Sequence, residues 1–220
     1  MSRSFPQGFS SVYGPVASWR YGRSLGIDPI GAVSTCSFDC VYCQLGAIED
    51  KTRDRRVFVA TSRILRDLQG VAVAGVDVIT LSGSGEPTLA RNLGEIVSTL
   101  KATTGKPVVV LTNASLLGDP EVRRELALAD FVAAKVDAAG DARLRRVDRP
   151  VGGIGFAEIR QGLLSFRREY QGQLAVQTML LGRWPERDQT DYVAFIVELA
   201  PDEIQLCAPT RPRPLVHEVA

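Results

Sequence analysis

Cys36-Ser37-Phe38-Asp39-Cys40-Val41-Tyr42-Cys43 holds three of the chain's four cysteines in the spacing C-x3-C-x2-C, with an aromatic residue before the last. A loop this short can aim three thiolates at one centre. Iron–sulfur clusters are held by cysteine thiolates, normally one per iron in the four-iron cluster. Three protein ligands leave one iron open to a small chelating ligand, the logic that separates open catalytic metal sites from closed structural ones. The competing readings are a zinc site completed by a distant ligand, or three unrelated buried cysteines. Zinc sites usually pair their ligands on two hairpins, and no second pair exists here; the only histidine, His217, lies near the C-terminus.

The flanks of this loop carry a family resemblance. Tyr13-Gly14-Pro15-Val16, Gly22-Arg23-Ser24-Leu25-Gly26, the cysteine stretch through Gln44-Leu45-Gly46, and Ser82-Gly83-Ser84-Gly85-Glu86-Pro87-Thr88-Leu89 resemble an uncharacterised branch of the radical S-adenosylmethionine (SAM) proteins. That branch is related to the tRNA wyosine-base synthases. The resemblance runs from about Tyr13 to Pro212. It implies an incomplete (βα)6 TIM-like barrel, a [4Fe-4S] cluster, and SAM chelated to the open iron. It further implies that the reduced cluster cleaves SAM to methionine and a deoxyadenosyl radical, which takes hydrogen from a substrate.

Working outward, the composition permits this. The chain has 220 residues, 45% of them hydrophobic, enough for one domain with a sizeable core. No run of 18 apolar residues spans a membrane, and Met1-Ser2-Arg3-Ser4-Phe5 lacks the apolar core of a signal peptide. Clustered free cysteines suit a reducing cytoplasm. The net charge of +1 excludes a global field that attracts nucleic acid. Basic clusters occur at Lys51 to Arg56 and at Arg143, Arg145, Arg146 and Arg149, but Asp50, Asp54, Asp141 and Asp148 dilute them, and both read as solvated surface.

Hydrophobic patterning alternates strand and helix. Residues 1–12 read as an arm, and 13–29, rich in glycine and proline, as irregular. Residues 30–35 read as the first strand, and Val57 to Val59 as a short extended run. Ser62 is a candidate cap for a helix using Ile64, Leu65 and Leu68. Further strands are expected at Val76 to Leu81, Val108 to Leu111, Phe131 to Val136, Leu174 to Leu181 and Ile204 to Cys207. Helices are expected around Leu93 to Leu100, from Asp119-Pro120, at Phe156 to Tyr170 by its three-and-four spacing, and at Tyr192 to Leu199. Continuous apolar strands between helices argue for a parallel sheet with helices outside. The domain expectation is an N-terminal arm and loop segment over 1–29, a core over 30–212 and a tail over 213–220.

In such architectures working residues gather at the C-terminal strand ends, where this sequence places its odd residues. Cys36, Cys40 and Cys43 are the expected cluster ligands, and Phe38 a shield against water. The resemblance gives Tyr42 to the adenine of SAM, and Ser84, Gly85, Glu86 and Pro87 to its amino group. Asn113 stands where the family places a polar group on the ribose or methionine carboxylate. Lys135 is a cation within an apolar strand. It suits a SAM carboxylate or the substrate, and equally an ion pair with Asp137 or Glu86. Asp137 at the same strand end joins the expected cofactor set. Gln177 and Thr178 are polar positions expected to face the barrel interior, and Cys207 reads as a buried apolar residue. Arg149-Pro150 and Thr210-Arg211-Pro212 belong to the resemblance, with Arg211 suited to an anion or to a surface salt bridge.

The expected partners are an external electron donor of flavodoxin or ferredoxin type and a substrate that kinship suggests is a tRNA guanosine. The alternatives are an activase that takes hydrogen from a glycine of a partner protein, and a non-catalytic iron–sulfur or zinc module. The chain lacks the further N-terminal cysteines of archaeal wyosine enzymes and stops soon after the last expected strand, so it is either a short member or lacks a tail.

Overall fold

A computed structural model describes residues 8–209. In chain order its elements are β1 (Val12–Ser18), β2 (Gly22–Ile27), β3 (Thr35–Cys36), β4 (Asp50–Lys51), α1 (Thr61–Leu68), β5 (Val78–Leu81), α2 (Leu93–Thr104) and β6 (Val108–Thr112). There follow α3 (Pro120–Leu126), β7 (Phe131–Lys135), α4 (Asp141–Val147), α5 (Phe156–Glu169), β8 (Gln173–Met179), α6 (Glu186–Leu199) and β9 (Glu203–Cys207). A seven-stranded sheet runs β1-β2-β5-β6-β7-β8-β9. Every pairing from β2 onward is parallel, and only β1 is antiparallel. This is the six-stranded parallel α/β core of a partial TIM-like barrel. β3 and β4 form a separate parallel pair above it.

The apolar runs explain the layering. β5 is buried at all four positions, as only a strand covered on both faces can be. On α5, Ile159, Gly162, Leu163 and Phe166 form the buried stripe. A β-carbon at Gly162 would lie 2.7 Å from the Leu117 carbonyl carbon, so glycine lets this helix approach the 114–118 segment. Asp119 accepts from the Glu121 N–H at 2.8 Å with Pro120 in the first turn, the start expected for α3. Phe166 is fully buried, and its truncation to alanine costs about 3–5 kcal/mol in such a site.

The N-terminal third corrects the sequence reading. Residues 13–29 are not irregular; they supply the β1–β2 hairpin, and β2 rather than 30–35 is the first parallel strand. The glycines and proline serve the pairing. The Tyr13 ring lies directly on Gly26, where any β-carbon would collide with it. Gly14 takes φ +97° at the bulge between Tyr13 and Val16. Pro15 is tolerated because β1 is an edge strand. A boundary at residue 30 therefore coincides with no edge of the sheet. Of 30–35 only Thr35 is paired, and the chain from Asp28 to Ser34 is loop, with Asp28 accepting from Ile30 and Gly31 N–H. The 57–59 run forms no strand; beside it Arg56 makes a single bridge to Ala90. Ser62 does not cap α1, whose N-cap is Ala60.

The hairpin turn folds beneath the sheet. Tyr21 packs against Phe131 at 5.9 Å between ring centroids and accepts from the Gln205 amide at 3.3 Å. Contact between the turn of β1–β2 and β9, at opposite ends of the strand order, requires the sheet to curl. None of the described helices is long and apolar enough to cross a membrane.

Candidate functional site

The cysteine loop is fastened from several sides. Asp39 N–H donates to the Asp148 carbonyl and Val41 N–H to the Val147 carbonyl, each at 2.9 Å; Val151 N–H donates to the Ser37 carbonyl at 2.9 Å. The Ser37 and Ser115 hydroxyls meet at 2.7 Å. Asp39 is buried, accepting from Ile48 N–H and pairing with Lys51 on β4 at 2.9 Å. None of these anchors stands out in sequence, because each is a common polar residue whose partner is remote along the chain.

Within the loop the cysteines are free. Cys36 Sγ accepts from Phe38 N–H at 3.4 Å and from the Asn113 amide at 3.5 Å, and Cys40 Sγ lies 2.9 Å from the Lys135 ammonium. Burial, then the charge of Glu86, pushes Cys36 up to about 12. Burial also raises Cys40 well above the usual thiol range and raises Cys43. These thiols are protonated until a metal displaces the proton. The donor set is soft sulfur, suited to iron–sulfur clusters or zinc. Among the described residues no three Cys, His, Asp or Glu side chains converge as ligands of one ion. A tetrahedral zinc needs its sulfurs about 2.3 Å from a common point, whereas cluster thiolates each bind a different iron. Three thiols on one loop are a donor set that fits an iron–sulfur cluster, one thiolate to each of three irons.

Beside the loop runs the strip Ser84-Gly85-Glu86-Pro87. Thr35 N–H donates to the Ser84 carbonyl at 2.9 Å and Glu86 N–H to the Thr35 carbonyl at 3.1 Å. A β-carbon at Gly85 would strike that Thr35 carbonyl; glycine is required because two backbones meet there. Asp28, at the end of β2, accepts from Ser84 N–H at 3.1 Å and fills the space over Gly83. Sequence reasoning missed Asp28 because it placed the first strand too late.

Glu86 is almost wholly buried, and its carboxylate accepts from Thr88 N–H and hydroxyl, the Thr112 hydroxyl at 2.6 Å and Asn113 N–H at 2.7 Å. Burial raises its pKa against those hydrogen bonds. Its observed work is to tie the strip after β5 to the end of β6. The Asn113 amide likewise donates to Ser37 at 2.9 Å and accepts from Ser115 N–H at 3.0 Å.

Lys135, on β7, is the centre of charge. Its ammonium lies 2.9 Å from Asp148, 3.2 Å from Asp137, 4.7 Å from the centroid of Tyr42 and 5.6 Å from that of buried Phe38. Burial opposes the charge, but Asp148 and its other neighbours hold the Lys135 pKa well above normal. Asp137 is buried, accepts the Tyr42 hydroxyl, and takes Met179 N–H at 2.7 Å. The expected Lys135–Asp137 pair exists; Glu86 is not a partner, and Asp148 was not anticipated. Register sets Lys135 beside Gln177 and Gln177 beside Gln205, whose amides meet at 3.1 Å. Thr178 faces the other way, toward Tyr192 of α6. Cys207 is half-buried at the β9 edge, 3.5 Å from Arg20, rather than in the core. Thr210, Arg211, Pro212 and His217 lie outside the described residues.

Comparison with known proteins matches this architecture. The sequence model of the radical SAM superfamily matches residues 32–196. The chain is 54% identical over 211 residues to a UPF0026 protein of Synechocystis, across 96% of this chain and 80% of that one. The solved structure of native anSMEcpe with bound AdoMet superposes with a TM-score of 0.62 at 19% identity, over 86% of this chain and 52% of that chain. The radical S-adenosylmethionine methyltransferase TsrM from Kitasatospora setae, with cobalamin and a [4Fe-4S] cluster bound, gives 0.56 at 18% identity, over 81% and 37%. These likenesses establish a shared fold, and this chain spans about half or less of the two solved chains.

Proposed function

The chain belongs to the radical SAM superfamily, and to its UPF0026 proteins, and from that premise we propose that it is an enzyme cleaving SAM reductively at a [4Fe-4S] cluster held by Cys36, Cys40 and Cys43. When bound, the cluster and SAM supply one-electron cleavage of the sulfonium and the radical that takes hydrogen from the substrate. The single observation that carries this reading is one loop with three free cysteines, joined through Thr35 to Gly85 of the Ser84–Pro87 strip at the C-terminal ends of a parallel sheet.

The protein's own share is positioning and electrostatics. Lys135 sets a buried positive charge beside Cys40, which favours the thiolate needed to bind iron. Phe38 keeps water from that side of the loop. Glu86 and Asn113 fix the strip and the loop relative to each other, so that the half-buried Ser84-Gly85 segment and the Tyr42 ring are presented together to the cofactor. Gln177 and Gln205 extend the polar row toward β9. An external flavodoxin- or ferredoxin-type donor supplies the electron.

The test is anaerobic reconstitution with iron and sulfide, then addition of SAM and dithionite without further substrate. About four irons per chain and deoxyadenosine above a Cys40→Ala control are expected. Stoichiometric zinc in place of iron, or iron with no SAM binding, overturns the reading.

A further inference from the structure

A second concave feature adjoins the cysteine loop. A cavity of about 420 Å³ is lined by Val41, Arg143, Arg145, Arg146, Arg149 and Arg183. Val41 stands between Cys40 and Cys43, so one wall of the cavity is the loop itself. The arginines come from α4, from the residue before Pro150, and from the turn after β8.

Along the sequence, Asp141 and Asp148 neighbour this group and dilute its charge. The fold takes them away. Asp148 turns inward to Lys135. Asp141 accepts from Phe156 N–H at 2.7 Å and reaches only Arg145, at 3.8 Å. Arg146, Arg149 and Arg183 form no ion pair among the described residues. Arg143 is 7% exposed, its Nε donates to the Asp137 carbonyl at 2.8 Å, and its guanidinium lies 3.9 Å over the Trp184 ring. The buried Trp184 indole N–H has no hydrogen-bond partner among the described residues. Burial, and then like-charged Arg146, make the Arg143 charge harder to hold, and a bound anion relieves both.

We propose that this cavity binds the phosphate groups of a small phosphorylated substrate and holds it beside the cysteine loop. Arginine forks match phosphate oxygens bidentately. Five guanidiniums line the cavity, with Asp141 reaching Arg145 and Asp188, Asp137 and Asp148 acting on Arg143, so Arg146, Arg149 and Arg183 keep charge that suits a di- or polyphosphate better than a lone carboxylate. The volume falls among small-molecule pockets of about 300–1,000 Å³. Its concavity and the buried, stacked Arg143 suit a compact ligand rather than the flat face of an acidic electron-donor protein. Calling the ligand a substrate rests on the function proposed above; the anion site itself does not.

The experiment is calorimetric titration of the reconstituted protein with inorganic diphosphate, then with a nucleoside triphosphate, each with and without SAM. One-to-one binding in both SAM conditions is expected. Arg146→Ala/Arg149→Ala and Arg183→Ala should each weaken it about tenfold or more, the loss expected for a charge-assisted hydrogen bond. Arg187→Ala, at an exposed position of α6, should leave binding unchanged. No diphosphate binding by the wild type, binding unaltered by the variants, or competition with SAM overturns the proposal. So does binding only of a short RNA or of an acidic flavodoxin, which reassigns the arginines to a macromolecule. Deoxyadenosine formation, measured separately, reports on the radical SAM reading, so the two fail independently.

Discussion

Replacing Lys135 by methionine removes the charge at the centre of the site while keeping the length of the side chain. At an effective dielectric of about 20, its attractions to Asp148 at 2.9 Å and Asp137 at 3.2 Å are about 6 and 5 kcal/mol gross. Desolvation of three buried ions offsets most of that, and the net cost of orphaning the carboxylates is about 3–5 kcal/mol. Adding Asp148→Asn removes the worst-placed carboxylate, so the double variant should recover a large part of the loss. The cost also depends on pH. Burial raises the Asp148 pKa above its unfolded value, and Lys135 opposes that rise; without Lys135 it goes higher. A carboxyl raised in the folded state binds more protons there than when unfolded, so stability falls as pH rises between the two values. The deficit of Lys135→Met should therefore shrink as pH is lowered through the raised value toward about 4. The assay is anaerobic urea denaturation of the cluster-free protein by circular dichroism. A loss under about 1 kcal/mol, far below that expected for a broken buried pair, or no recovery from Asp148→Asn, would refute the buried network.

Other predictions follow from the same geometry. Gly85→Ala sets a β-carbon against the Thr35 carbonyl; SAM cleavage should fall about a hundredfold, as for a misplacement of about 1 Å, with iron content retained, measured by deoxyadenosine yield and iron assay. Alanine at Cys36, Cys40 or Cys43 should abolish the cluster's electron paramagnetic resonance signal, whereas Cys207→Ala should leave it intact, since Cys207 lies at the β9 edge. Asp202 accepts from Leu174 N–H and pairs with Arg167, in that order lowering its pKa. Its contribution is present above the unfolded value and lost as pH falls through the lowered one. Asp202→Asn should thus lower the melting temperature at pH 7, with the gap closing below about pH 4.

The parallel sheet was legible because β5, β6 and β7 are short, mainly apolar runs, β8 and β9 keep apolar residues within theirs, and the longer helices show their own period; those signals are local. Their ends shifted by only a few residues, as at β5, which begins at Val78 rather than Val76. α4 went unnoticed because its seven residues carry few apolar side chains. The N-terminal hairpin was illegible because its glycines and Pro15 read locally as breakers, while tertiary packing uses them: Gly26 seats the Tyr13 ring and Pro15 sits on an unpaired edge.

By itself the sequence determined the three thiols on one loop, the five parallel strands from β5 to β9 and the polar residues at strand ends, since spacing and apolar period are properties of neighbouring residues. Only the tertiary structure decided which charges meet. It gave Lys135 to Asp148 across 13 residues and Glu86 to Asn113 across 27, and left Arg146, Arg149 and Arg183 facing a cavity. Charge pairing depends on distance in space and on burial, which strengthens each attraction and penalises each unpaired ion, and neither is written in the order of residues along the chain.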